Sequence, residues 1–116
     1  MKDFGLNAVP AEVFKLSNLK TLILSNNPLK TIPSEIGELK SLQILQLSSC
    51  DLFDESIPAE VWKGLTLLEE INLSNNGLTN MEPLMDLVGL KRVNLSNNEL
   101  LKIPVSVNKP KLRSQN

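Results

Sequence analysis

Residues 68–78 read Leu68-Glu-Glu-Ile71-Asn-Leu73-Ser-Asn-Asn76-Gly-Leu78, and three other segments of the chain align with them without a gap. Those segments are residues 19–29, 42–52 and 90–100. Every segment has an aliphatic residue at its first, fourth, sixth and eleventh positions and Asn or Cys at its ninth. Because all four segments satisfy all of these positions in a chain of 116 residues, the chain contains an internal repeat.

The fourth and sixth positions of each segment predict a short β-strand. In the first segment these residues are Leu22 and Leu24, and such alternation places both side chains on one face of a strand. A single strand cannot bury that face alone, so we expect the four strands to stack in parallel around a continuous aliphatic core. Each fully buried leucine then contributes about 1.5–3 kcal/mol.

The ninth position forms a column of polar residues: Asn27, Cys50, Asn76 and Asn98. The chain must turn after each strand, and an inward amide can donate to and accept from the backbone groups that the turn leaves without partners. Cysteine can replace asparagine here as a weaker donor. We therefore expect Cys50 to be structural rather than reactive, since a reactive thiol needs exposure and a nearby cation.

The segments between the strands have a second pattern, in which apolar residues recur three apart after a proline. One example is Leu29-x-x-Ile32-Pro33-x-x-Ile36-x-x-Leu39. This spacing suits 3₁₀ or single helical turns that begin at the proline. Residues 58–64 are the most helical stretch, and Gly64 is a candidate C-cap.

These motifs resemble the leucine-rich-repeat family over about residues 4–107. The Ile-Pro segments resemble its 23-residue subclass, and residues 78–90 resemble the 22-residue type found in a phosphatase-regulatory subunit. The resemblance implies an α/β fold: a short right-handed solenoid with parallel strands on its concave face and 3₁₀ or short helical turns on its convex face. We expect one domain over residues 1–108 and a basic, disordered tail over residues 109–116.

The resemblance also implies that the chain binds another protein through the concave strand positions. Three rows of residues lie between the core leucines, and the third is a row of serines at positions 25, 48, 74 and 96 that we expect to be structural or merely tolerated. The candidate partner-binding residues are Thr21, Ile23, Ile44, Gln46, Glu70, Asn72, Arg92 and Asn94, together with Phe53 outside the strands.

Two groups within these rows have alternative interpretations. Ile23 and Ile44 predict an exposed apolar spot, for which partner binding and incidental exposure are equally good explanations. Glu69 and Glu70 occupy the same two repeat positions as Lys91 and Arg92, so stacking of the strands sets the two pairs side by side. We expect surface ion pairs there, worth about 0–1 kcal/mol, rather than partner anchors.

The return after the second strand is three residues longer than the one before it, since the leading leucines at 19, 42 and 68 are 23 and 26 residues apart. The extra length places Phe53 beside Asp51, Asp54 and Glu55, which predicts an acidic, aromatic bulge. Insertions in solenoids are often used for binding, although a tolerated insertion is the commoner explanation. The adjacent acids Asp54 and Glu55, without a histidine or another clear ligand, are weak evidence for a metal site, and we predict none.

Composition excludes several classes of function. The 12 basic and 13 acidic residues are balanced, without the basic footprint of a nucleic-acid-binding protein. The chain has no histidine, which removes the commonest general base and metal ligand. Its single cysteine favours a reducing, cytoplasmic compartment. The sequence also has neither a secretory signal nor an apolar run of membrane-spanning length. Asn72 and Asn94 match the glycosylation sequon, but both fall within predicted strands, so we interpret the matches as accidental.

We therefore predict a non-catalytic protein–protein interaction module of a scaffold or signalling adaptor, without a cofactor. One alternative is a structural module that self-associates through its exposed sheet edges. Another is a regulatory subunit or a fragment of a larger leucine-rich-repeat protein, because neither end of the chain resembles a dedicated cap. An enzyme is the weakest hypothesis, since the sequence has no phosphate loop, nucleophile–base pair or metal-ligand cluster.

Overall fold

The computed structural model describes residues 5, 7–80, 83–84 and 87–99, and the structural statements below concern these residues. Repeats one to four begin at Leu19, Leu42, Leu68 and Leu90. Their strands are β1 (Thr21–Ile23), β2 (Ile44–Gln46), β3 (Glu70–Asn72) and β4 (Arg92–Asn94). Three 3₁₀ helices span Ala11–Lys15, Ser34–Glu38 and Asp54–Ser56, and the helix α1 spans Ala59–Gly64.

The four strands form one parallel sheet in the order β1-β2-β3-β4. Leu22 is paired with Leu45, Leu45 with Ile71, and Ile71 with Val93, which is the register that the gapless alignment predicts. Backbone hydrogen bonds continue the ladder one residue further, for example from the amide of Leu73 to the carbonyl of Asn94 at 2.9 Å. The predicted leucine-rich-repeat solenoid is therefore confirmed in its described part. Leu100 and the predicted tail, residues 109–116, lie outside the described residues.

The core is a column of aliphatic layers between the sheet and the helical turns. Leu24, Leu47 and Leu73, which occupy the same position in successive repeats, are completely buried. The only tryptophan of the chain, Trp62, enters this core from α1 and is also buried. Each repeat adds a similar small layer that aliphatic side chains can fill, so the core needs few aromatic residues.

A left-handed residue follows each strand. Asn26, Ser49, Asn75 and Asn97 have φ angles of 63°, 56°, 59° and 60°. Asparagine tolerates this conformation better than most residues with a side chain, because its short polar side chain can hydrogen-bond locally. The same backbone turn is thus built four times, and serine replaces asparagine in the second copy.

The predicted polar column forms a hydrogen-bonded ladder inside the turns. Asn76 donates from Nδ2 to the carbonyls of Leu47, Leu73 and Ser74, at 3.1, 2.9 and 3.1 Å. Its Oδ1 accepts from the amides of Cys50 and Leu52, both at 3.0 Å. One side chain therefore ties repeat two to repeat three.

Cys50 occupies the corresponding position between repeats one and two. Its Sγ donates to the carbonyl of Leu24 at 3.2 Å, and the residue is completely buried. Burial raises the pKa of the thiol, although hydrogen bonding to the backbone of Asn27 and Asn26 acts in the opposite direction. A buried, protonated thiol is a poor nucleophile, which supports the structural role predicted for Cys50.

As predicted, a proline in the extended region precedes three helices of the returns: Pro10, Pro33 and Pro58. The 3₁₀ helix Asp54–Ser56 of the longer return begins after Phe53 instead. The interpretation of Gly64 as a C-cap is wrong, because Gly64 is the last residue of α1 and the cap is Leu65. A Cβ at Gly64 would lie 2.0 Å from the carbonyl oxygen of Gly37. Glycine is needed there because α1 crosses the 3₁₀ helix Ser34–Glu38 of the previous return at very short range.

The next pair of returns is packed less closely. Gly89, which directly precedes Leu90 and is not the equivalent of Gly64, also has room: a Cβ there would lie 3.7 Å from the carbonyl oxygen of Leu68, which is an ordinary contact. A hollow of about 90 Å³ lies beside Trp62, with Leu78 and Pro83 also in its lining. The convex side is therefore tight between repeats one and two and looser between repeats two and three.

Candidate functional site

The sheet presents eight of the nine predicted binding residues on one surface, called here the strand face. The register places Thr21, Ile44, Glu70 and Arg92 in one row and Ile23, Gln46, Asn72 and Asn94 in the next. Each row is perpendicular to the strands, with neighbours about 4.8 Å apart. The serine row, expected to be structural or merely tolerated, is partly withdrawn from solvent, because Ser25 and Ser74 are only 3% and 6% exposed. Ser25 Oγ accepts a hydrogen bond from the Ser48 amide, so this row contributes to the turns.

The N-terminal half of the strand face has a smaller apolar spot than predicted. Ile23 is 42% exposed, whereas Ile44 is half-buried. Ile23 is paired with Gln46 and Ile44 with Thr21, so the two isoleucines are diagonal neighbours whose Cα atoms are roughly 8 Å apart. Ile23 is therefore the principal apolar contact that this half offers.

The C-terminal half contains the predicted ion pairs. Arg92 contacts a single carboxylate oxygen of Glu70, Oε1, through Nη2 at 2.8 Å and through Nε at 2.9 Å. Lys91 Nζ lies 3.9 Å from Glu69 Oε1, which is a looser pair. The Arg92 guanidinium is thus held in one orientation although its side chain remains largely exposed. Exposed pairs of this kind contribute little stability, but a fixed guanidinium is well placed to meet an acceptor on another molecule.

Two asparagines in the second row have oriented side chains. Asn72 Oδ1 accepts from the amide of Ser74 at 2.9 Å, and Asn94 Oδ1 accepts from the amide of Ser96 at 3.0 Å. Both side chains are half-buried. Because the oxygens are engaged, each Nδ2 is fixed as a donor, and among the described residues neither has an acceptor. The sheet spacing sets the two donors about 4.8 Å apart.

A shallow depression of about 180 Å³ lies at this half of the strand face. Its polar lining consists of Gln46, Glu70, Asn72, Arg92 and Asn94. Five of the predicted residues therefore surround one concavity, which combines amide donors and acceptors with a paired guanidinium. The repeat alignment predicted this grouping, but not the fixed orientation of the two asparagines.

Phe53, the ninth predicted residue, does not belong to the strand face. It lies in the return after β2, where its side chain is 52% exposed. Phe53 does not line the depression. Its amide donates to Ser56 Oγ at 3.0 Å, and that hydroxyl donates in turn to the Lys30 carbonyl of repeat one at 2.6 Å. Phe53 is therefore a separate surface feature.

Asp54, beside Phe53, has a role that the sequence did not reveal. Its Oδ1 accepts from the amides of Thr79 and Asn80 at 2.9 and 3.2 Å, and its Oδ2 accepts from the Thr79 hydroxyl. Burial alone would raise the pKa of Asp54, but these hydrogen bonds outweigh it and the pKa is lowered. The inserted loop is thus tied back to repeat one through Ser56 and forward to repeat three through Asp54.

Two kinds of feature are missing from the part of the chain that the structure describes. Among the described residues, no group of three or more Cys, Asp or Glu side chains could hold a metal ion. No helix in the described part of the chain is long and apolar enough to cross a membrane.

The repeat, the parallel register and the buried ladder define a leucine-rich-repeat solenoid. Models described as leucine rich repeat match residues 3–52, 67–87 and 89–109. The chain therefore belongs to the leucine-rich-repeat family.

Similar proteins come from distant organisms. A rice protein, Plant intracellular Ras-group-related LRR protein 8, is 36% identical over 112 residues, which is 92% of this chain and 29% of that protein. The "Probable inactive serine/threonine-protein kinase roco10" of Dictyostelium discoideum is 33% identical over 109 residues, again 92% of this chain but 4% of that protein.

The fold is also similar to solved structures. Internalin C2 from Listeria monocytogenes superimposes with a TM-score of 0.77 at 30% identity, over 92% of this chain and 46% of that one. In all three comparisons the chain spans less than half of the protein that it matches.

Proposed function

We propose that this chain is a non-catalytic protein-interaction module that binds an extended segment of a partner protein along the strand face. Membership of the leucine-rich-repeat family supports this class of function. The observation that carries the proposal is the pair of oriented, half-buried amide donors at Asn72 and Asn94 beside the depression. Fixed donors of this kind are suited to donating hydrogen bonds to a partner's carbonyl oxygens.

The geometry suggests how an extended segment would be held. Its main-chain carbonyls accept from Asn72 and Asn94, while Gln46 can both donate and accept. The Arg92 guanidinium, fixed by Glu70, meets an acceptor at the same end. At the other end, an apolar side chain of the partner packs on Ile23. These groups lie on a hydrogen-bonded sheet and are already ordered before the partner binds. The entropic cost of binding is therefore lower than for a flexible surface.

We further propose that the module acts in the cytoplasm, as part of a scaffold or signalling protein. The single cysteine is buried and unpaired, which fits a reducing compartment. The name of the rice relative includes the word "intracellular". The proposal involves neither a cofactor nor a nucleic acid.

A comparison of two surface variants tests the strand face. The immobilised chain captures partners from a cell extract, mass spectrometry identifies them, and binding of the purified partner is then measured by calorimetry. We expect Ile23→Glu together with Asn72→Ala to weaken binding at least about tenfold, since central contacts carry most of the affinity. Leu67→Glu is the matched control, because Leu67 is also an exposed apolar residue, 53% accessible, but lies outside the strands. Equal loss in both, or undiminished binding by the strand-face variant, would contradict the proposal.

One observation favours self-association as a second candidate function. Leu16 occupies the same repeat position as Leu39, Leu65 and Leu87, which are buried, but it is itself 50% exposed. It lies at the β1 end of the described sheet, where a second copy could pack. Analytical ultracentrifugation over a wide concentration range tests this candidate. Concentration-dependent dimers that Leu16→Lys abolishes would support it, and a monomer at every concentration would exclude it.

A further inference from the structure

We propose that Asn76-Gly77 is a deamidation site that the folded solenoid keeps closed and that opens when repeats two and three separate. The proposal is independent of partner binding. It rests on the ladder between these repeats and on the residue that follows Asn76.

The chemistry needs only the chain and water. The backbone nitrogen of Gly77 attacks Cγ of Asn76, forming a new N–C bond, while the Cγ–Nδ2 bond breaks and ammonia leaves with the proton that the nitrogen has lost. The resulting succinimide is then opened by water to aspartate or isoaspartate at position 76. Glycine favours the attack because it has no Cβ to hinder the approach of its nitrogen.

In the folded chain, both reacting groups are held by other contacts. The Asn76 amide is fixed by the carbonyls of Leu47, Leu73 and Ser74 and by the amides of Cys50 and Leu52. The attacking nitrogen, that of Gly77, donates to the carbonyl of Leu52 at 2.7 Å. Reaction requires these bonds to be broken together. Since several of them run between repeats two and three, the competent state is one in which the two repeats have separated locally.

The fold itself does not require a glycine at position 77. Its φ is not in the left-handed region, and a Cβ there would lie 3.5 Å from its nearest neighbour, the Leu52 carbonyl oxygen. The equivalent positions in the other repeats are Pro28, Asp51 and Glu99. Of the ladder asparagines, Asn27 precedes a proline, whose nitrogen has no proton to lose, and Asn98 precedes the bulkier Glu99. The susceptible sequence is therefore confined to the interface between repeats two and three.

The modification would not be reversed by refolding. Aspartate at position 76 places a carboxylate where an amide now donates to three carbonyl oxygens, so the donors are lost and a charge faces acceptors. The modified interface opens more readily than the original. Deamidation thus converts a transient separation of the two repeats into a permanent weakening.

The test compares the rate of deamidation at Asn76 in the folded full-length chain and in the chain unfolded by guanidinium chloride, at the same pH and temperature. Peptide mass spectrometry follows the conversion, and the other asparagines serve as internal references. We expect the folded chain to react at least about tenfold more slowly, because only its locally open fraction is competent. Equal rates in the two states would overturn the proposal.

Two variants separate local opening from simple accessibility. Gly77→Ala should abolish rapid conversion in both states while leaving the unfolding midpoint almost unchanged. Ile71→Val mildly weakens β3, and we expect it to accelerate the reaction of the folded chain roughly two- to tenfold without changing the rate in denaturant. An unaltered folded-state rate in Ile71→Val would show that no opening is needed and would also overturn the proposal. Asn76→Asp supplies the product directly, and it must unfold at a lower denaturant concentration than the unmodified chain.

Discussion

The interface between repeats one and two and the interface between repeats two and three use the same repeat pattern but different contacts. The first is closest on its convex side, where Gly64 and Gly37 touch, and its ladder residue is Cys50. The second has a hollow beside Trp62 on that side. It is held instead by the Asn76 amide and, through Asp54, by hydrogen bonds to the backbone of repeat three.

The difference shows that equivalent interfaces of a solenoid need not be stabilised by equivalent residues. A close backbone crossing supplies packing at one interface, and side-chain hydrogen bonds compensate for looser packing at the other. Substitutions at matched positions should therefore have unequal effects.

The largest effect is expected at the glycine crossing. In Gly64→Ala the new methyl would lie 2.0 Å from the Gly37 carbonyl oxygen, so α1 must move away from the 3₁₀ helix Ser34–Glu38. We expect the free energy of unfolding to fall by about 2–4 kcal/mol, near the upper end for overpacking. Urea denaturation measures the change. Gly89→Ala adds the same methyl at a different repeat position where there is room, and it should change stability by less than about 0.5 kcal/mol. A similar loss in both variants would show that the close approach of Gly64 to Gly37 is not the cause.

Substitutions in the polar ladder should have the second-largest effect on stability. Here the larger loss is expected at the interface between repeats two and three, and the smaller one between repeats one and two. Asn76→Ala leaves three carbonyls and two amides without this partner, and we expect a loss of about 2–3 kcal/mol. Cys50→Ala removes a weaker donor and a smaller buried group, so we expect about 1 kcal/mol. Both values come from the same denaturation experiment. If the cysteine variant proves the less stable of the two, the ladder is not what strengthens the second interface.

A smaller effect is expected at Asp54 and should depend on pH. Because folding lowers the pKa of this carboxyl from its ordinary value of 3.8, its contribution to stability is complete above that value and is lost as the pH falls through the lower folded-state value. Asp54→Asn should therefore be less stable than the unmodified chain at neutral pH, and the difference should shrink in acid. Thermal unfolding at several pH values tests this, with Glu55→Gln as a control that removes an equal charge from the neighbouring residue.

The smallest effect is expected in the turn after β2. Ser49 has a φ of 56°, and the equivalent residues of the other three repeats are asparagines with almost the same φ. Ser49→Asn should raise the free energy of unfolding by about 0.5 kcal/mol, because asparagine is better suited to left-handed backbone. A decrease would indicate that the serine hydroxyl has a specific role in this turn.

Much of this architecture could be predicted from the sequence because the repeat fixes it locally. Once Leu22 and Leu45 are aligned, the strand register, the inward ladder and the rows of the strand face follow from periodicity alone. The ion pair of Glu70 and Arg92 follows as well, since the two residues are neighbours in that register. These features depend on positions within a repeat, which the sequence contains directly.

The features that could not be predicted depend on distances between repeats. Gly64 was interpreted as a cap because helices often end near glycine, whereas its real constraint is the carbonyl of Gly37 across the interface. Asp54 was counted among the acids of a bulge, and only the fold brings it to Thr79. Burial of Ser25 and Ser74 likewise depends on how the turns stack, which no spacing rule specifies.

The position of Trp62 determines what fluorescence can report about this molecule. The chain has one tryptophan and no tyrosine, so nearly all emission excited near the tryptophan band comes from a single buried ring beside the hollow at repeats two and three. Fraying of β1 or β4 would leave that signal almost unchanged, while circular dichroism would record it. Disagreement between the two signals would therefore reveal unfolding that starts at the ends, and agreement would show that the solenoid unfolds as one cooperative unit.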